Sequence, residues 1–183
     1  MKITFNSPVI LAFSILCALV YLLTGPMGIM KDAFVLIPEW SFSNPAWYMR
    51  LFTHTIGHAS TEHLMGNLAF ILLIGPIVEE KYGSKNLIIM MLSTALVTAL
   101  LHLMIFDYGL LGASGIVFML ILIVSLVNFK NKEIPLTFIL VVIIFIGKEI
   151  MASMENDGIS HFAHIIGGVV GAVFGFMLGG KKA

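Results

Sequence analysis

Six long apolar runs divide this chain: roughly Pro8 to Leu23, Glu62 to Val78, Leu87 to Phe106, Ala113 to Phe129, Pro135 to Met151 and His161 to Leu178. At about 1.5 Å per helical residue, each is close to the length that crosses a bilayer. With 59% hydrophobic and only 11% charged residues among 183, the chain holds more apolar surface than a soluble core of that size encloses. These runs predict an all-α integral membrane protein of six transmembrane helices, read as a single membrane domain over 1–183. Polar punctuation supports the boundaries, since Asn6-Ser7-Pro8 and Pro135 place proline at the first turn of a helix. The first run is read as a retained helix, because no small-x-small cleavage site follows it and Gly25-Pro26 forms a loop.

Several classes of function are set aside by composition. Cys17 is the single cysteine, so neither an internal disulfide nor a cysteine-based zinc site is available. The formal net charge is zero and no basic block with interleaved aromatics occurs, which argues against a nucleic-acid partner. Six alternating helices with the N-terminus inside put Lys2, Lys81, Lys85, Lys130, Lys132, Lys181 and Lys182 in the cytoplasm. Only Lys31, Arg50 and Lys148 fall on the other side, the asymmetry expected when both termini are cytoplasmic. The long connection from about Thr24 to Thr61 then lies outside, and Trp40, Trp47, Tyr48 and Phe52 suit the headgroup layer.

Polar side chains within membrane helices are costly, so those that persist are candidates for chemistry or internal hydrogen bonding. Counting from the charged cytoplasmic ends, Ser114 lies sixteen residues from Lys130, His164 seventeen from Lys181 and His63 sixteen from Glu79. All three therefore sit at one level, roughly 24 to 26 Å up, just beneath the outer surface, with Asn67 one turn deeper. A serine hydroxyl becomes a nucleophile when a base takes its proton, and histidine suits that task at neutral pH. Ser114 and His164 form a candidate pair. The Ser114 N–H at a helix start, with His63 and Asn67 on one face of the second helix, supplies candidate donors for an oxyanion.

For such a pair to meet, the fourth and sixth helices must approach closely. Gly167, Gly171, Gly175 and Gly179 recur every four residues on the sixth, facing Gly112 and Gly115 on the fourth. The bland alternatives are that this stripe only packs or dimerises helices, that Ser114 bonds its own backbone, and that Asn67 joins two helices. His102 and His161 are read as partly hydrated residues near the outer interface. Lys148 and Glu149 are read as snorkelling or pairing rather than acting.

Three stretches together resemble the rhomboid intramembrane serine proteases: "HASTEHLMGN" with His58, His63 and Asn67, "GASG" from Gly112 to Gly115, and "AHIIGGVVG" with His164, Gly167 and Gly171. The resemblance runs from about Arg50 to the end of the sixth helix. It implies a rhomboid-like core with a Ser114–His164 dyad and no required acid, an oxyanion site of the Ser114 N–H, His63 and Asn67, and a cavity open to the extracytoplasmic face of the cell membrane. It also implies structural roles for His54 and His58, a family-like "VEEKYGS" around Glu79, no cofactor and no metal. Substrates would be single-pass transmembrane proteins cut near their outer ends, where a helix that unwinds exposes its carbonyls. Two positions depart from the family pattern. Phe118 stands where many members have a tyrosine stacked on the catalytic histidine, and "WYMR" separates Trp47 from Arg50 where many have them adjacent.

The expected activity is thus intramembrane serine endoproteolysis. An alternative is a catalytically silent relative that binds or escorts membrane proteins, although binding alone requires neither Ser114 nor His164. A third reading, a metal site or transporter built on His54, His58, Glu62 and His63, lacks the H-E-x-x-H pattern and a second acid.

Overall fold

The computed structural model describes residues 4–127, 133–152 and 161–178. Its helices are α1 (Pro8–Thr24), α2 (Pro45–Thr53), α3 (Thr61–Tyr82), α4 (Ser84–Ile105), α5 (Ser114–Ser125), α6 (Leu136–Val141), α7 (Gly147–Ala152) and α8 (His161–Leu178). Helices α3, α4 and α8 are long and apolar enough to cross a membrane, while α1 and α5 are shorter apolar helices. The fifth apolar run is not one regular helix. A π-helical turn, Val142–Ile146, separates α6 from α7. Lys2, Phe129, Lys130, Lys132, Gly179, Lys181 and Lys182, on which part of the orientation and depth reading rests, lie outside the described residues.

Local chemistry explains where the elements begin. Ser7, at φ 50, gives α1 no side-chain cap. The buried carboxylate of Glu79 takes that role from another helix, accepting from the Val9 N–H at 3.1 Å and the Ile10 N–H at 3.0 Å. Glu79 also accepts from the Ser84 hydroxyl at 2.6 Å, so one acid ties together the ends of α1, α3 and α4. Pro45 occupies the first turn of α2, capped by the Asn44 side chain accepting from the Ala46 N–H at 3.0 Å. Ser60 caps α3 by accepting from the His63 N–H at 3.2 Å. Gly83, at φ 79, turns the chain sharply from α3 into α4.

The centre of the molecule is α5, where every residue from Gly115 to Ile123 is buried. A helix whose whole circumference is apolar is at home either in lipid or inside a bundle, and here neighbouring helices take the place of lipid around it. It packs on α3, α4 and α8, with Ile71, Leu87, Met90, Met119 and Leu122 in the surrounding core. The long connection before α3 is folded onto this body. Arg50 Nε donates to the Asp32 carbonyl at 2.7 Å, Thr53 donates to the Ala33 carbonyl at 2.8 Å, and Leu36 bridges antiparallel to Leu110.

Two expectations are corrected by burial. Trp47 is not spread in a headgroup layer: it is 4% exposed and its Nε1–H donates to the Glu39 carbonyl at 2.8 Å, while Trp40 and Tyr48 remain exposed around it. His102 is not a hydrated interface residue either, being fully buried with Nε2 2.8 Å from the Tyr108 carbonyl. Trp47 goes inside because its one polar atom finds a backbone oxygen there, whereas His102 satisfies Nε2 and leaves Nδ1 buried without a hydrogen-bond partner among the described residues.

Candidate active site

Close contact between α5 and α8 sets the scale of the site. A β-carbon at Gly167 would lie 2.0 Å from the Gly115 carbonyl oxygen, and one at Gly171 would lie 2.4 Å from the Met119 carbonyl oxygen. Backbone meets backbone at both levels, so the small-residue stripe is what lets the two helices touch. Gly115 follows Ser114 directly, and Gly167 lies three residues after His164. The contact therefore registers the two side chains against each other.

Ser114 is the first residue of α5, where backbone N–H groups lack an intrahelical partner. Leading into it, Gly112 holds φ 127 and its N–H donates to the His54 carbonyl at 2.8 Å. A β-carbon at Gly112 would sit 2.6 Å from the His63 ring. Glycine is thus required here twice, for a backbone conformation other residues resist and for the approach of an imidazole.

Ser114, His63, Asn67, Phe118 and His164 all line one cavity of about 500 Å³, whose other walls include Phe70 and Tyr108. The Phe118 ring lies 4.6 Å from the His164 ring at an interplanar angle of 6°. This stacking needs the aromatic face and not a hydroxyl, so phenylalanine supports the imidazole plane here.

Asn67 is oriented by a chain of hydrogen bonds. His58 is 4% exposed, and its burial, reinforced by nearby His63, lowers its pKa to about 4, so the ring is neutral near pH 7. Nδ1 of His58 lies 3.3 Å from the Ile56 carbonyl, which can only accept, so that nitrogen carries the proton. Nε2 must then accept, and the contact of 3.0 Å to Asn67 is a bond donated by the amide Nδ2. His58 thereby turns the Asn67 NH₂ in a fixed direction at the cavity wall. His54 is likewise buried, with Nε2 3.3 Å from the Ala95 carbonyl.

On the far side of His164 stands a residue read from the sequence as merely snorkelling or pairing. Glu149 is 6% exposed, and its Oε2 lies 2.7 Å from Nδ1 of His164. The same oxygen lies 2.6 Å from Nδ1 of His161, which is 8% exposed rather than hydrated. Among the described residues, these three form the group whose donor atoms gather within 4.8 Å, the ligand types zinc accepts. Two ligands around one zinc stand about 3.3 Å apart. The shorter separations here are those of charge-assisted hydrogen bonds. His54 and His58, named in the alternative metal reading, instead face a backbone carbonyl and an amide. Only the charged pair Lys148-Glu149 inside a largely apolar run could have drawn attention to Glu149 beforehand.

Residues 45–181 match the family model of the Rhomboid domain. The chain is 24% identical to Rhomboid protease GlpG of Haemophilus influenzae over 173 residues, which cover 91% of this chain and 88% of that protein. It is 31% identical over 150 residues to Rhomboid-like protein 11, chloroplastic, of Arabidopsis thaliana, covering 73% of this chain and 53% of that protein.

Proposed function

The chain belongs to the rhomboid family, whose members act on membrane proteins within the bilayer, and on that premise we propose that it is a serine endopeptidase cleaving single-pass transmembrane substrates. The observation that carries this reading is the convergence of Ser114, His164, His63 and Asn67 on one cavity, with α5 and α8 in backbone contact beside them.

In this reading the Ser114 hydroxyl attacks a scissile carbonyl while Nε2 of His164 takes its proton. The carbonyl oxygen becomes negative and accepts from the Ser114 N–H, His63 and the Asn67 amide. Preorganised donors of this kind are worth roughly 2.7–4 kcal/mol each when removed singly. As the tetrahedral intermediate collapses, His164 returns the proton to the leaving amine, and a water then hydrolyses the acyl-enzyme by the same steps. Because a regular helix shields its carbonyls, the preferred substrate segment unwinds easily and carries small or polar residues at the cut. Six membrane crossings, cytoplasmic termini and a cavity opening to the extracytoplasmic face of the cell membrane complete the proposal, with the site approached from the bilayer by the substrate helix.

The test is a fluorophosphonate probe on purified protein, together with cleavage of a model transmembrane substrate. Covalent labelling that maps to Ser114 and disappears in His164→Ala is expected, along with loss of cleavage in Ser114→Ala. Cleavage by Ser114→Ala at the parent rate would overturn the assignment. Binding of the substrate without labelling or cleavage by the parent would favour the escort alternative.

A further inference from the structure

We propose that Glu149 is a positioning residue for His164, so that the operative unit is Ser114–His164–Glu149 rather than a bare dyad; this rests on the serine-protease reading above. The geometry carries the argument. A carboxylate only accepts hydrogen bonds, so the 2.7 Å contact requires the proton of a neutral His164 to sit on Nδ1. That choice leaves the lone pair on Nε2, the nitrogen that must receive the proton of Ser114. When the proton arrives, the imidazolium carries its new charge against an acid already in hydrogen-bond contact.

The carboxylate is itself held. Oε2 also accepts from Nδ1 of His161 at 2.6 Å, and His161 and His164 lie one helical turn apart on α8. The two imidazole rings meet edge to face, with centroids 6.0 Å apart. His164 is consequently fixed on two sides, by the stacked Phe118 face and by the Glu149 edge. The stack sets the plane of the ring, while the acid sets its tautomer and its rotation within that plane. Phe118 has no hydroxyl with which to do the second task, and Glu149 supplies it from another helix.

The experiment combines kinetics with a direct look at the tautomer. Full-length Glu149→Gln is expected to cleave a transmembrane substrate with kcat lower by roughly 10²-fold and KM unchanged, the size of a compromised general base. Glu149→Asp, which keeps the charge, is expected to fall between Glu149→Gln and the parent. A Glu149→Gln protein with parental kcat, or a Glu149→Asp protein no better than Glu149→Gln, overturns the inference. Independently of how either variant folds, ¹⁵N-histidine NMR of the parent at neutral pH should show His164, assigned through His164→Ala, protonated at Nδ1 and bare at Nε2. The opposite tautomer refutes the positioning role. Hydrolysis surviving Ser114→Ala would instead overturn the serine-nucleophile reading and leave the tautomer result standing.

Discussion

Gly167 and Gly168 are neighbours on one helix, and replacing each with alanine separates helix propensity from packing against α5. Both substitutions gain about 1 kcal/mol of helix propensity. They differ in what the new methyl meets. At Gly168 it would lie 2.6 Å from the Cδ1 atom of Ile146, the far end of a flexible side chain that can rotate away. At Gly167 it would lie 2.0 Å from the Gly115 carbonyl oxygen, 2.7 Å from its carbon and 2.9 Å from its Cα, all backbone. Ordinary contact begins near 3.4 Å, so α5 and α8 must separate by more than 1 Å at the residue following Ser114. Overpacking of this kind costs about 3 kcal/mol. Against the propensity gain, that leaves a net loss of about 2 kcal/mol, roughly 4–8 °C in Tm for a chain of this length. A displacement of about 1 Å at a catalytic pair is worth about 10² in rate. Thermal unfolding in detergent and the rate of fluorophosphonate labelling of Ser114 report the two effects separately. Gly167→Ala should lose both, whereas Gly168→Ala should stay within about 1 kcal/mol and a few-fold of the parent. Equal behaviour of the two variants would refute the argument that backbone contact at Gly115–Gly167 registers the site.

Gly112→Ala should destabilise by about 1–3 kcal/mol through its φ of 127 and the His63 ring, and should slow labelling of Ser114, checked by the same two assays. Glu79→Gln places an amide NH₂ among groups that all donate, the Val9 and Ile10 N–H and the Ser84 hydroxyl; melting in detergent should show a loss of about 1–3 kcal/mol. His54 and His58, both with pKa lowered to about 4 chiefly by burial, stay neutral while the unfolded chain takes up protons near pH 6.5. Stability is therefore fully present above about pH 6.5 and falls as pH drops toward 4, by up to about 3 kcal/mol for each histidine. A Tm independent of pH across that window would contradict the assignment.

The grouping of the candidate site residues was legible from counting along helices. Ser114, His63 and His164 fall at matched distances from charged helix ends, and the structure brings all three to one cavity. Gly167 and Gly171 were legible from four-residue spacing, since small residues repeat where helices touch. The contact of Glu149 with His164 was not legible. Counting places residues correctly only along a regular helix, and the π turn at Val142–Ile146 breaks that regularity before Glu149 is reached. Trp47 and His102 escaped for a different reason. Their burial depends on the carbonyls of Glu39 and Tyr108, which the folded chain brings to them and composition does not announce.

The π turn makes the number of residues between Pro135 and Glu149 a chemical variable in its own right. Regularising Val142–Ile146 to α-helix with every residue kept would rotate everything beyond it by about 100° and push it forward about 1.5 Å, because a π turn holds about one residue more than an α turn. The Glu149 carboxylate would then leave His164 although every side chain of the site was still encoded. In this segment the wide turn is as necessary to the contact as the acid itself, and a one-residue deletion that also removes the turn would roughly restore the register.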